Sequence, residues 1–168
     1  MYKIRHIYTR RLLAVGYTCR QAVENAARNN ISLSRANLRG CFLQGSDLTG
    51  IDLSKADLTG ADLSDCNFTR ADLRANLSYA LLRDSVFTDA RIDLHCCEVA
   101  VELLRREAGN NQARRGLVGE IAAFRYNRWY DYYYSKHPEY KWMLECLAKY
   151  VGGEKFPPAP LFFYLQGK

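Results

Sequence analysis

Residues that could do chemistry are scattered through the 168-residue chain, and their spacing fits no catalytic motif. The three histidines, His6, His95 and His137, lie far apart, and the sequence has no phosphate-binding glycine loop, GxSxG or HExxH. The His95-Cys96-Cys97 run is a candidate metal cluster. Adjacent cysteines rarely bind one ion with good geometry, however, and no fourth ligand is spaced nearby. We therefore predict no enzyme activity, no metal site and no cofactor.

The six cysteines stand at positions 19, 41, 66, 96, 97 and 146 and form no CxxC pair. No apolar run approaches the roughly 18 residues of a membrane span. Residues 1–15 contain scattered Lys and Arg, without the apolar core and cleavage site of a signal peptide. We therefore predict a cytoplasmic protein whose cysteines remain thiols.

The most regular pattern of polar residues is a series of Asp and Asn spaced five apart in residues 31–94. Each precedes a large apolar residue, and these apolar centres recur every five positions from Leu33 to Leu73. After one four-residue step the series resumes at Leu77 and continues to Ile92. A small residue stands two positions before almost every centre. A period of five fits neither an amphipathic helix nor a simple strand.

The run ADLTGADLSDCNFTRADLRANL resembles the A(D/N)LXX motif of the pentapeptide-repeat family, and the resemblance covers residues 31–94. It implies a right-handed quadrilateral β-helix with four pentads, or twenty residues, per coil. The large centres and the small residues would point inward, so Cys41 and Cys66 are interpreted as core filler. Just over three coils stacked at roughly 4.8 Å would make a rod about 15 Å long.

One residue is missing between Leu73 and Leu77. Such a deletion should tighten or kink the coil at a corner. It is interpreted as a tolerated deletion, with a bend that shapes a binding face as the alternative.

The segments on both sides of the pentads are predicted to form caps, because the open ends of a solenoid must be covered. Residues 1–30 are predicted to form two short strands and a helix, opened by a T-x-x-Q capping box at Thr18 and ended by Asn29-Asn30. Residues 95–168 are predicted to form helices at 95–108, 112–134 and 138–151. The chain therefore divides into an N-terminal hairpin and helix cap (1–30), the β-helix (31–94) and a C-terminal helical cap or interface region (95–168).

A first candidate partner surface is acidic. The pentapeptide-repeat family that the chain resembles includes quinolone-resistance and topoisomerase-inhibiting proteins, whose acidic rods imitate duplex DNA. Counting pentads in fours leaves no uninterrupted acidic ladder on any side. It places Asp62, Asp65 and Asp84 together on one side and Asp89 on the next. The candidate residues are Asp47, Asp62, Asp65, Asp84 and Asp89. The alternative is that these side chains hydrogen-bond the backbone at the corners.

A second candidate surface is the segment FRYNRWYDYYYSK, residues 124–136, in which aromatic and basic residues interleave. Its candidate residues are Arg125, Tyr126, Arg128, Trp129, Tyr130, Tyr132, Tyr133 and Tyr134. These residue types favour an interface with a target protein or a second copy of the chain. A base-stacking platform for nucleic acid and a plain core helix are the alternatives.

The layout of the chain resembles small pentapeptide-repeat proteins of bacteriophages and mobile elements. This resemblance implies a non-enzymatic protein that binds and inhibits a host nucleic-acid-handling machine, as an anti-CRISPR or other counter-defence protein or as a topoisomerase inhibitor. The mechanism would be surface occlusion with partial DNA mimicry, and the partner would be a host protein or nucleoprotein complex. Homodimerisation, direct nucleic-acid binding through basic caps, and a structural or assembly scaffold are alternatives.

The net charge of +6 is unevenly distributed, which weakens a simple inference of DNA binding. Residues 31–94 contain seven Lys and Arg against nine Asp, a net charge of −2. Residues 1–30 carry +5 and residues 95–168 carry +3. We therefore predict a mildly acidic rod between basic caps.

Overall fold

The computed structural model describes residues 1–93, 97–123 and 137–149. The chain divides into two compact units, Met1–Asp93 and Leu94–Lys168. Within the described ranges, none of the helices combines the length and the apolar character needed to cross a bilayer.

The first unit begins with the predicted hairpin and helix. Strands β1 (Tyr2–Arg5) and β2 (Leu12–Gly16) pair antiparallel, and helix α1 (Cys19–Arg28) follows them. The helix buries Ala22, Val23 and Ala26. The packing of α1 on β2 leaves no room for a side chain at Gly16, where a Cβ atom would lie 2.5 Å from the Ala22 backbone nitrogen.

The N-terminus of α1 has a modified form of the predicted capping box. Thr18 Oγ1 accepts a hydrogen bond from the Gln21 amide at 3.1 Å, as predicted. Gln21 Oε1 accepts from the Tyr17 amide at 2.7 Å, one residue before the position expected of a capping box. The helix ends at Arg28 with Asn29 as its C-cap, and Asn30 follows in the left-handed region with φ 52°.

The pentads stack on one another through parallel bridges at the predicted spacing. Before the deletion the bridged residues are twenty apart: Asn37–Asp57, Phe42–Asp62, Asp47–Asn67 and Asp52–Asp72. After it they are nineteen apart: Asp57–Asn76, Asp62–Leu81, Asn67–Val86 and Asp72–Arg91. The extended stretches are shorter than the prediction of a mainly β solenoid suggests. The longest within residues 31–93 are the two-residue strands β3 (Asp72–Leu73) and β4 (Arg91–Ile92).

The hydrogen bonds of one pentad account for all five of its backbone N–H groups. Three of them reach neighbouring coils: Asp57 N to Ala36 O, Leu58 N to Asn76 O, and Gly60 N to Ser78 O, each at 2.9 Å. A fourth closes the corner turn, from Ala61 N to Leu58 O at 2.9 Å. The fifth, Thr59 N, donates to Asp57 Oδ1 at 3.1 Å. Where the residue before a centre is Asp or Asn, its side chain accepts the one amide of the pentad that has no backbone partner.

The corner turns place the residue two after each centre in the left-handed region, which explains the glycines found there. Gly60, for example, has φ 67°. Seven corners tolerate a residue with a side chain, namely Arg35, Lys55, Asp65, Arg70, Tyr79, Asp84 and Asp89.

The residue missing between Leu73 and Leu77 is this left-handed corner residue. A shorter turn replaces it, in which Ala75 N donates to Leu73 O at 2.9 Å. Since the bridges continue on every side beyond this point, the coil shortens from twenty to nineteen residues without losing its stacking. This supports the interpretation of a tolerated deletion.

The core of the first unit consists of the predicted inward residues. All thirteen apolar centres from Leu33 to Ile92 are buried. Phe68 and Phe87, centres in successive coils, stack with their rings 5.9 Å apart. Cys66 lies in a small inward position, as predicted, and its thiol donates to Leu43 O at 3.0 Å.

The described part of the second unit consists of three helices: α2 (Cys97–Ala108), α3 (Gln112–Ala123) and α4 (Tyr140–Ala148). Helix α4 begins two residues later than the predicted start at Pro138. Its neighbour in sequence, Glu139, pairs with Arg114 of α3 at 3.0 Å, and the Arg114 guanidinium lies 4.8 Å from the centre of the Trp142 ring. These contacts join α3 to α4.

Candidate functional site

One outward column of the stacked pentads departs from the Asp/Asn pattern. The column consists of Phe42, Asp62 and Leu81, bridged in that order. The Phe42 side chain is 80% exposed and that of Leu81 is 59% exposed. We call this column, together with the corner residues Asp65 and Asp84 at its edge, the Phe42 face.

The two apolar residues of the Phe42 face are costly to the fold at their positions. Phe42 and Leu81 have no side-chain oxygen, so neither can accept the leftover amide two residues later, as Asp62 does from Ser64 N at 3.1 Å. They also expose apolar surface that packing within the coil does not use. The next column has a similar departure at Val86, which is 43% exposed. Stability of the coil therefore does not explain these residues.

The structure brings three of the five predicted acidic residues together on the Phe42 face. Asp62 lies between Phe42 and Leu81 in the column. Asp65 accepts from Gln44 Nε2 at 3.0 Å, and its amide donates to Arg83 O in the next coil. Asp84 follows Arg83 at the same corner, with its carboxylate 3.8 Å from the Arg83 guanidinium. The face thus combines two exposed apolar side chains with three carboxylates, one in the column and two at its edge.

The other two predicted acidic residues lie elsewhere. Asp47 heads the next column and accepts from the Thr49 hydroxyl at 2.7 Å and from the Thr49 amide at 3.2 Å. These hydrogen bonds from Thr49 hold the pKa of Asp47 below its ordinary value. Asp89 is a left-handed corner residue with φ 55°, two positions after Phe87. Neither residue belongs to the Phe42 face.

Further acidic residues of the pentads are paired with arginine. Arg39 contacts Asp57 at 3.0 Å, and Asp72 contacts both Arg74 at 2.5 Å and Arg91 at 3.5 Å. Burial acts to raise the pKa of Asp72, but the hydrogen bonds and charge of Arg74 outweigh it, so the pKa is lowered. These pairs reduce the negative charge on the remaining sides, in line with the absence of a continuous acidic ladder in the sequence.

A groove of about 620 Å³ lies beside Phe42, between the N-terminus of α1 and the first coil. Tyr2, Cys19, Arg20, Cys41 and Asp62 are among its lining residues. Cys19 and Cys41 form a disulfide across it, with their Cα atoms 6.2 Å apart.

This disulfide corrects the prediction that all six cysteines are thiols and that Cys41 is only core filler. The sequence could not reveal it, because the two cysteines are 22 residues apart and meet only when α1 docks on the coil. Cys66, Cys97 and Cys146 are buried free thiols. Burial raises the pKa of the Cys66 thiol to about 11, so this group is unreactive at neutral pH.

Sequence reasoning missed the residues that distinguish this site. Phe42, Leu81 and Val86 were visible as breaks in the series of Asp and Asn, and that departure was the usable signal. For Cys19 and Tyr2, which lie outside the repeats, the sequence held no comparable signal.

The remaining predictions concern residues that are partly or wholly outside the described ranges. His95 and Cys96 of the candidate metal cluster are outside them, and buried Cys97 donates its thiol to Ile121 O at 3.6 Å. No group of His, Cys, Asp or Glu suited to a metal ion occurs among the residues that the structure describes. The aromatic segment 124–136, which contains the candidate residues from Arg125 to Tyr134, also lies outside the described residues. Its role as an interface therefore stays a prediction.

Comparison with protein families finds a match in the part of the chain that forms the stacked pentads. The model for pentapeptide repeats matches residues 31–70 as eight copies. No curated protein matches the chain. The five-residue period, the buried centres and the coil-to-coil bridges extend the same pattern to Ile92. Residues 31–70 of this chain are therefore pentapeptide repeats.

Proposed function

We propose that the chain is a non-enzymatic protein-interaction module whose contact surface is the Phe42 face. In this proposal the stacked pentads form a right-handed quadrilateral β-helix that presents the face on one side. The bridges nineteen or twenty residues apart and the four outward columns support that geometry.

The observation that carries the proposal is the replacement of Asp or Asn by exposed apolar residues at two positions of one column. Each replacement removes a side-chain oxygen that would accept a backbone amide, and it exposes apolar surface that does not stabilise an isolated coil. Exposed aromatic side chains that fill a pocket of a partner are frequent anchors of protein interfaces. Phe42 has the size and the exposure of such an anchor.

The charges of the face indicate the chemistry of its partner. Among the described residues, Asp62 and Asp65 form no ion pair, so a partner with Lys or Arg around an apolar pocket would be complementary. Basic surfaces of this kind occur on proteins that handle nucleic acid. Inhibition of such a host machine by occlusion, as an anti-CRISPR, another counter-defence protein or a topoisomerase inhibitor, is the finer form of this proposal.

Direct nucleic-acid binding is a second candidate, favoured by the N-terminal hairpin. Lys3, Arg5, Arg10 and Arg11 are all exposed there. A cluster of four basic residues could contact phosphate without any contribution from the Phe42 face.

The proposal can be tested with Phe42→Asn and Leu81→Asn, which restore the common pentad residue. Ile31→Asn is the matched control, because Ile31 is 44% exposed and lies outside the face. A partner is captured from bacterial lysate with the wild-type chain, purified, and titrated against each variant by calorimetry.

We expect Phe42→Asn to weaken binding about 30-fold or more, the effect of losing an interface anchor worth about 2 kcal/mol. Ile31→Asn should bind like the wild type. Wild-type affinity in all three variants would exclude the Phe42 face as the contact surface. Binding to duplex DNA that falls steeply with salt in all variants would instead support the second candidate.

A further inference from the structure

The Cys19–Cys41 disulfide lines the groove beside Phe42, and its two sulfur atoms differ in access. Cys19 is half-buried, whereas Cys41 is only 3% exposed because it occupies a small inward position of the first coil. A nucleophile that enters the groove therefore reaches Cys19 Sγ more readily than Cys41 Sγ. Thiol–disulfide exchange requires such access to one sulfur.

The surroundings of the disulfide also favour the same direction of cleavage. The Tyr2 hydroxyl lies 3.4 Å from Cys41 Sγ. A disulfide sulfur has no proton, so the hydroxyl must be the donor in this contact. Negative charge that develops on Cys41 Sγ as the bond breaks would be stabilised by that hydrogen bond.

The released form of each cysteine also fits its position. Cys19, the first residue of the ten-residue helix α1, would remain half-buried at the groove that Arg20 also lines. A reduced Cys41 would lie in the type of inward position that Cys66 fills as a free thiol. Because Ala22, Val23 and Ala26 still bury their side chains in the packing of α1, cleavage should leave the first unit folded.

The charges in the groove indicate which thiols it would accept. The Arg20 guanidinium, which also pairs with Glu24 at 2.8 Å and donates to Gly45 O at 3.0 Å, and the Asp62 carboxylate both line the groove. A small thiol with both a carboxylate and an ammonium group, such as glutathione, has the complementary charges.

We propose that the Cys19–Cys41 disulfide is a thiol-exchange site for a zwitterionic low-molecular-weight thiol. The thiolate attacks Cys19 Sγ and forms a mixed disulfide, while the Cys19–Cys41 bond breaks and its electron pair leaves on Cys41 Sγ, which takes a proton from water. A second thiolate attacks the sulfur of the bound thiol, which releases the small-molecule disulfide and Cys19 as a thiolate. Two small thiols are thus oxidised and one protein disulfide is reduced. This site does not depend on the proposed partner.

The test uses the full chain with Cys96→Ser, which removes a cysteine outside the described residues. The protein is incubated in glutathione buffers of graded ratio, quenched with acid, alkylated and mapped by mass spectrometry. We expect a glutathionyl group on Cys19, an alkylated thiol on Cys41 and no glutathionyl group on Cys66. The circular dichroism spectrum should remain that of the folded protein.

Tyr2→Phe tests the direction of cleavage, with Tyr8→Phe as the matched control because Tyr8 is an exposed tyrosine that does not line the groove. We expect Tyr2→Phe to slow formation of the mixed disulfide about tenfold, as for the loss of one hydrogen bond to a developing charge. The control should react at the wild-type rate. A mixed disulfide on Cys41, reduction only together with unfolding, a disulfide inert to glutathione, or equal rates in the two variants would each overturn the proposal.

Discussion

Replacing Asp57 tests whether the Asp side chain of a pentad serves chiefly to accept a hydrogen bond from a backbone amide. Asp57 accepts from the Thr59 amide at 3.1 Å, from the Thr59 hydroxyl at 2.5 Å and from Arg39 at 3.0 Å. Each hydrogen bond from Thr59 should contribute about 1 kcal/mol. The Arg39 pair should contribute less than about 1 kcal/mol, since the arginine side chain is largely exposed. Asp57→Ala should therefore lower the free energy of unfolding by about 2–3 kcal/mol.

Asp57→Asn is the informative companion, because it keeps an acceptor but loses the charge. The chain itself contains this arrangement at Asn67, which accepts from the Thr69 amide at 3.0 Å and from the Thr69 hydroxyl at 2.6 Å. Asp57→Asn should therefore cost less than about 1 kcal/mol, like Arg39→Ala.

Urea unfolding followed by circular dichroism measures these differences, and hydrogen exchange of peptides from residues 51–60 locates them. For a unit of this size, a loss of 1 kcal/mol corresponds to a fall in Tm of about 4–8 °C. Equal destabilisation by Ala and Asn would show that charge matters and the acceptor does not. A neutral effect of Asp57→Ala would show that water satisfies the Thr59 amide, and either result would refute the reasoning.

The same contacts predict the effect of pH. Burial acts to raise the pKa of Asp57, but the hydrogen bonds from Thr59 and Arg39 outweigh it, so the folded pKa is lowered. Since the folded pKa lies below the unfolded value of about 3.9, the carboxylate contributes its full stabilisation at neutral pH. That contribution disappears as the pH falls through the folded pKa. The stability difference between the wild type and Asp57→Asn should therefore shrink in acid, as measured by urea unfolding at pH 7 and at about pH 3.

Three further substitutions test other parts of the fold. Gly16→Ala should lower the free energy of unfolding by about 2 kcal/mol or more in urea titrations, because the new Cβ would press on the Ala22 backbone. Gly60→Ala should cost about 1 kcal/mol in the same assay, because Gly60 has φ 67° although space around it is open; a neutral result would contradict this strain. Glu102→Ala should destabilise the second unit by about 2 kcal/mol, measured by its thermal transition, because buried Glu102 accepts from Arg105 at 2.9 Å. Retention of the wild-type Tm would contradict that role.

Much of the first unit was predictable because a repeat carries its own register. The five-residue spacing identified Leu58 and its equivalents as inward residues, and counting in fours predicted the bridges, including Asp57–Asn76 across the deletion. These features depend on local geometry, which every pentad repeats, so the sequence alone could establish them. The helix limits were less predictable at α4, where Pro138 precedes the helix instead of opening it.

The role of the acidic residues was left open by the sequence and depends on three-dimensional hydrogen bonding. Asp47, Asp57 and Asp62 all accept backbone amides, and Asp62 also lies between two exposed apolar residues. Asp65 instead stands at a corner, where it accepts from the Gln44 side chain. An identical residue type therefore serves as a structural acceptor in one place and as part of a candidate surface in another. Only the position of each carboxylate relative to its neighbours in the next coil distinguishes the two roles.

The sequence by itself determined the repeat, its inward residues and its stacking order. The tertiary structure decided which outward residues share a face and which cysteines meet. Phe42 and Leu81 are 39 positions apart yet belong to one column, because each coil returns the chain to the same side. Cys19 and Cys41 are joined because α1, which is not part of the repeat, packs on the β1–β2 hairpin, and the hairpin bonds to the first coil through Asn37 N and Arg5 O at 2.9 Å. Periodicity specifies contacts within the coil, whereas the docking of a cap depends on the complementary shape of two surfaces.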